Sequence, residues 1–250
     1  MHLRCAVARL LCGALLVSMA WGGSPAWAVT AQEQSERLQN IYGFLLDLRS
    51  NSAPAPQDPG NWALQLDLLP MPKIDNRVGA KNEPVDALPA VPRLRGRIHG
   101  PLGLSLSLAG SPGIPFGKQT ATFLQGDADW RVRWGSLLGG LRTSSSSWKI
   151  VGPITTTTHE DTFRIQQHNM DVRLGWELDH SHLYVGSGQG SQSSSLLIGE
   201  DGVTLNLREH AYTYRFAGLE FQGEQWDFNL EQHATESYLQ HVQLSIRRRF

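Results

Sequence analysis

The sequence predicts an all-β chain, an antiparallel barrel of about ten strands, and three observations predict it. From residue 61 onward, apolar side chains recur with period two. The strand-like runs are separated alternately by tight turns and by longer polar links. The last run, His241 to Phe250, places Val242, Leu244, Ile246 and Phe250 on one face and His241, Gln243, Ser245, Arg247 and Arg249 on the other.

The amino terminus is organised differently. Residues 1–28 read as a secretory signal: Arg4 and Arg9 precede an apolar run from Leu10 to Ala20, and Ala26-Trp27-Ala28 forms a small-x-small cleavage pattern. That apolar run is too short to cross a bilayer core of about 30 Å. Both cysteines, Cys5 and Cys12, lie within the signal at residues 1–28, so the remaining 222 residues contain none; disulfide, thiol and cysteine–metal chemistry are excluded downstream. Without Arg4 and Arg9 the chain has 20 basic against 23 acidic residues, a net charge of −3, which offers no basic field for nucleic acid. Residues 29–60 are expected to hold an amphipathic helix followed by a linker. Leu38, Ile41, Tyr42, Leu45 and Leu48 form one stripe over 31–50, with Glu33 and Glu36 early and Arg49 late. Pro54, Pro56 and Pro59 then stiffen the connection.

The barrel is expected over 61–250, with strands at 61–69, 92–99, 102–109, 119–134, 137–150, 162–178, 183–198, 203–221, 226–233 and 238–250. An eight-strand count stays open if 61–69 is not part of the wall or if a hairpin is miscounted. Residues 137–150 fit least well, because Ser144 to Ser147 carry no pattern. A phase slip between Leu207 and Tyr212 predicts a bulge. Tight turns are expected near 100–103, 135–136, 179–182 and 222–225, and longer links near 70–91, 109–118, 151–161, 187–202 and 233–237.

The face that meets lipid follows from charge. With the aliphatic rows pointing inward, Arg131, Arg133 and Arg173 would meet hydrocarbon at a cost of about 2–4 kcal/mol each at the midplane. The opposite phase makes Asp129, Arg131, Arg133, Asp171, Arg173, Glu177, Arg215, Asp227 and Glu231 the expected lumen-lining residues, able to pair with one another. It leaves Trp134, Trp176, Trp226 and Phe250 outside, near the tight turns, as an aromatic girdle.

A strand of this alternation ending on an aromatic residue resembles the closing strand of bacterial outer-membrane β-barrels. Arg248 departs from the pattern, where the family has an aromatic or aliphatic side chain. The resemblance is to an architecture and not to one family. It implies a transmembrane β-barrel in the outer membrane of a Gram-negative cell. Outer-membrane lipid surrounds it, and the barrel assembly machinery reads the strand that ends in Phe250. A periplasmic partner for helix 31–50 is a further expectation.

No catalytic, cofactor or metal site is expected. His180-Ser181-His182 falls in a tight turn with only Asp179 beside it and lacks a third ligand. Phe163 to Met170 resembles the histidine region of lipid A deacylases, but Met170 stands where those enzymes carry the serine. Asp161 or Glu160 with His168 shows no placed partner. The runs Ser144–Ser147 and Ser193–Ser195 lack a local base. Gly186-Ser187-Gly188-Gln189-Gly190 lacks the lysine and helix of a phosphate loop and fits a bend or close packing in the wall. The reading is therefore a non-enzymatic structural or interaction barrel, or a narrow porin-like channel. Its rivals are a lipid-modifying hydrolase and a soluble periplasmic barrel carrying an apolar ligand.

Overall fold

The computed structural model describes residues 51–70, 90–116, 119–153, 159–199, 202–235 and 240–250. The expected signal 1–28 and helix 31–50 lie outside the described residues. Ten antiparallel strands run in sequence order: β1 (Trp62–Pro70), β2 (Ala90–His99), β3 (Leu104–Phe116), β4 (Gln119–Trp134), β5 (Leu137–Gly152), β6 (Asp161–Leu178), β7 (Ser181–Ile198), β8 (Val203–Gln222), β9 (Trp226–Thr235) and β10 (Gln240–Arg249). Each pairs with its sequence neighbours, and β1 closes the sheet on β10 with Leu66 opposite Ile246. Closure leaves no free sheet edge.

The links alternate as the turn chemistry requires. At one end β4 and β5 are joined through Gly135, whose φ of 61° suits a residue without a Cβ, and Ser136. The β2–β3 link is a 3-10 turn over Pro101–Gly103, and β6–β7 and β8–β9 turn at Asp179-His180 and Gly223–Gln225. The two longest links, over residues 71–89 and 153–160, lie at the other end. Strand β3 runs further than expected, to Phe116, and β7 ends at Ile198 as its expected bounds gave, so the expected links at 109–118 and 187–202 shrink. Residues 187–198 are strand because their small side chains pair continuously with β6, from Ser187 opposite Val172 to Leu197 opposite Thr162.

The serine run is also regular strand. Ser144 and Ser146 are buried and Ser145 and Ser147 exposed, so the alternation exists in burial although the residue type does not change. In β8 the register slips: Gln192 faces His210 but Ser194 faces Leu207, so β8 holds one extra residue. This is the expected bulge.

The polarity of the barrel is inverted relative to a water-soluble core. Arg93, Arg95, Arg131, Arg142 and Arg173 rank among its largest fully buried side chains. Leu94, Leu106, Leu108, Met170, Val172, Leu174 and Trp176 are each more than half exposed. The girdle residues Trp134, Trp176, Trp226 and Phe250 lie exposed near the tight-turn end, and Trp62 stacks on Phe250 with centroids 4.0 Å apart.

Candidate functional site: the charged interior

Period-two alternation sends every second residue of each strand inward, and the inward set is ionic. Among the described residues, seven arginines and eight carboxylates are buried there. A buried charge without a partner is strongly disfavoured, so near parity of sign is a condition of folding.

The partners come from the same strand, from the adjacent strand and, in three pairs, from the strand beyond it. Arg95 of β2 pairs with Asp127 of β4. Arg173 of β6 pairs with Asp129 of β4, which also accepts from Arg131 Nη2 at 2.6 Å. Arg247 of β10 donates to Glu220 of β8 at 3.0 Å and to Asp227 of β9 at 2.7 Å. Arg142 donates through Nε and Nη2 to Asp171 at 2.9 and 2.7 Å. Tyrosine hydroxyls extend the network: Tyr184 donates to Glu231 at 2.6 Å and Tyr214 to Asp171 at 3.1 Å. Links of this kind brace the curvature of the wall as chords brace an arch.

Of the expected lining residues, Asp129, Arg131, Asp171, Arg173, Asp227 and Glu231 are buried in this network. Arg133 and Glu177 sit at the tight-turn rim, partly exposed, with Arg133 Nη2 3.4 Å from Glu177 Oε1. Arg215 is a correction. It lies exposed on the outer face, between the inward-facing Tyr214 and Phe216. An inward Arg215 would put Tyr214 and Phe216 outside, but glycines on β7 make room for both rings inside. Gly186 pairs with Phe216 and Gly188 with Tyr214, and each ring lies against its glycine, where a Cβ would come within 2.2 Å and 2.4 Å of ring carbons. Arg215 stands beside Ala234, one residue from the end of β9, so its long side chain need not sit in mid-wall.

Sequence reasoning missed much of the interior. Strand β2 contributes Arg93, Arg95 and Arg97, which in sequence alternate only with Leu94 and Gly96. His182 was expected in a solvated turn. It is instead buried at the start of β7, with Nδ1 3.5 Å from Glu220 Oε1, and only His180 stays in the turn. Arg97 donates to Ser52 Oγ at 3.1 Å, and among the described residues it has no carboxylate within ion-pair distance.

That bond belongs to the segment the sequence assigned to a linker. Asn51 to Ala55 are buried, and their partners come from all round the wall. Gln65 of β1 donates to Asn51 Oδ1 at 2.9 Å, and Arg131 of β4 to Ser52 Oγ at 3.1 Å and to the Ala55 carbonyl at 3.2 Å. Arg173 of β6 donates to the Ser52 carbonyl at 3.1 Å, and the Ala53 amide donates to Glu220 of β8 at 3.1 Å. A Cβ on Gly140 would lie 2.8 Å from Pro54 and one on Gly175 3.3 Å from it, so the proline sits against bare backbone of β5 and β6. Only a segment inside the barrel can reach β1, β2, β4, β5, β6 and β8 together. It crosses the interior near the tight-turn end.

The outer face brings His168 opposite Ser145 on β5 and Ser191 on β7. Its neighbours Asp161 and Asp171 face inward, so neither can orient the imidazole. Among the described residues no cluster of three or more histidine, cysteine or acidic side chains could hold a metal.

No family profile and no curated protein matches the chain. Its architecture is similar to that of solved bacterial outer-membrane β-barrels. Neisserial surface protein A matches at 10% identity over 76% of this chain and 99% of that one, with a TM-score of 0.35. The KdgM porin matches at 8% identity over 75% and 98%, with a TM-score of 0.34. The translocator domain of the autotransporter NalP from Neisseria meningitidis matches at 11% identity over 87% and 95%, also at 0.35. These likenesses are of general architecture, and no residue role is carried over from them.

Proposed function

We propose that this chain is an integral outer-membrane β-barrel whose lumen is closed, acting as a structural or interaction protein rather than as an open pore or an enzyme. The inverted polarity supports the membrane reading. Burying one large apolar side chain is worth about 1.5–3 kcal/mol, so leaving the whole outer row in water would forgo on the order of tens of kcal/mol. The outward run on β6 from Met170 to Leu178 covers nine residues. At about 3.3 Å per residue and a tilt of about 40°, that is roughly 23 Å, close to the height of an outer-membrane apolar band. Beyond it the outward residues of β6 turn polar, at His168, Gln166 and Arg164. The tight turns would then face the periplasm and the longer links the exterior, with Phe250 offered to the assembly machinery.

The single observation that carries closure is the seating of Asn51–Ala55, hydrogen-bonded to five strands inside the lumen. A soluble carrier of an apolar ligand would need an apolar interior at this level, where the chain instead buries arginines and carboxylates. The test is ion current through the refolded protein in a planar bilayer. The full chain should pass no stepwise current. A chain lacking residues 29–57 should conduct, because the arginines that held the segment would then face water. Steady conductance by the full chain would overturn the closed-barrel reading.

A further inference from the structure

Six of the seven buried arginines, all but Arg97, stand within ion-pair distance of a buried carboxylate. Arg97 is 5% exposed, and its cross-strand neighbours, Ala63 on β1 and Ser107 on β3, are short and uncharged. Its Nη1 donates to Ser52 Oγ, and its Nε and Nη2 have no acceptor among the described residues. A buried cation without a counter-charge is strongly disfavoured.

Charge around Ser52 is out of balance. Three guanidinium groups converge on that residue: Arg97 and Arg131 on its hydroxyl oxygen, at 3.1 Å each, and Arg173 on its carbonyl at 3.1 Å. One carboxylate, Asp129, serves both Arg131 and Arg173. Asp171, 3.5 Å from Arg173 Nε, is already held by Arg142 through two hydrogen bonds. Glu220, at the neighbouring Ala53 amide, is engaged by Arg247.

The polar groups beside Arg97 add donors and no acceptor for it. Ser52 Oγ accepts from two guanidinium groups, which leaves its hydroxyl proton to donate elsewhere. In the adjacent Asn51, Oδ1 accepts from Gln65, while Nδ2 is a buried donor with no acceptor among the described residues. The Nε and Nη2 groups of a guanidinium lie parallel along one edge and match two oxygens of an oxyanion. We propose that Arg97, Ser52 and Asn51 form a binding site for a small inorganic oxyanion, such as phosphate, at the tight-turn mouth of the barrel. Arg97 lies two residues before His99, where β2 ends, so the ligand enters from the water at that mouth. Strands β1 to β3 separate the site from lipid, so the ligand is a dissolved ion and not a lipid headgroup. The site does not depend on closure of the lumen.

Equilibrium dialysis of the refolded full chain, in uncharged detergent, against radiolabelled inorganic phosphate reads the site directly. The chain should bind phosphate saturably, one ion per barrel. Arg97→Met should weaken binding roughly 100-fold, because it removes the charge and both parallel donors. Ser52→Ala should weaken it roughly 10-fold, through one hydrogen bond to a charged group. Lys149→Met removes the same charge from the exposed outer face of β5 and should leave the affinity within about twofold. In urea titration, phosphate should raise the unfolding midpoint of the unaltered chain and leave that of Arg97→Met where it is, a readout that also shows the variant to be folded. Absence of saturable binding would overturn the proposal, as would an affinity lowered equally by Arg97→Met and Lys149→Met. Displacement of phosphate by an equal concentration of chloride would overturn it too, since that marks attraction to any anion.

Discussion

At the scale of single residues, the interior is governed by pairing. Asp129 is held by both Arg131 and Arg173, and Ser52 by Arg97, Arg131 and Arg173. Removing one member of a buried pair strands the other, which costs about 3–5 kcal/mol. Arg173→Met should therefore lower the unfolding free energy of the lipid-inserted barrel by about that amount, read from urea titration. Arg97→Met should change it by less than about 1 kcal/mol, because that side chain gives up one hydrogen bond and strands no carboxylate. Equal losses in the two variants would contradict the network as described. The arginines of β4 and β6 were legible because they alternate with large apolar residues. Arg215 was misplaced for the same reason: Tyr214 and Phe216 beside it are large and apolar, and nothing in β8 alone shows that β7 offers them glycines.

At the scale of elements, the strands were legible nearly throughout, because period two survives in burial even where residue type is constant. Turn positions followed Gly100, Gly135 and Gly223. The end of β3 was not legible, since small residues such as Gly110 and Ser111 pair as strand without an apolar signature. The joint between β7 and β8 is the element-level feature most open to test. Gly186 leaves room for the Phe216 ring and for nothing more. Gly186→Ala alone should destabilise by about 1–3 kcal/mol through overpacking, and Phe216→Ala by about 3–5 kcal/mol through the cavity it leaves. Together they should cost less than the sum, by about 0.5–3 kcal/mol, because the added methyl enters vacated space. Strict additivity in the same unfolding assay would show that the ring does not rest on the glycine.

At the scale of the whole molecule, ten strands, one charged interior and one apolar exterior make a single device. The outward stripes suit hydrocarbon, the inward charges neutralise one another, and the chain's own Asn51–Ala55 crosses the space they surround. The seating of that segment was the part of the site least visible in sequence. A proline-rich stretch between a helix and a strand reads as a spacer, and its hydrogen bonds to Gln65, Arg131, Arg173 and Glu220 exist only once the sheet has curled round it. The central claim is which face of these strands touches lipid, and two tryptophans on opposite faces test it most directly. Trp176 is 55% exposed on the outer wall, and Trp148 is 1% exposed on the inner wall. Single-tryptophan variants keeping one or the other, refolded into vesicles of bromine-labelled lipid, report contact with acyl chains through quenching. The account predicts strong quenching of Trp176 and almost none of Trp148; quenching of Trp148 with Trp176 left bright would contradict it.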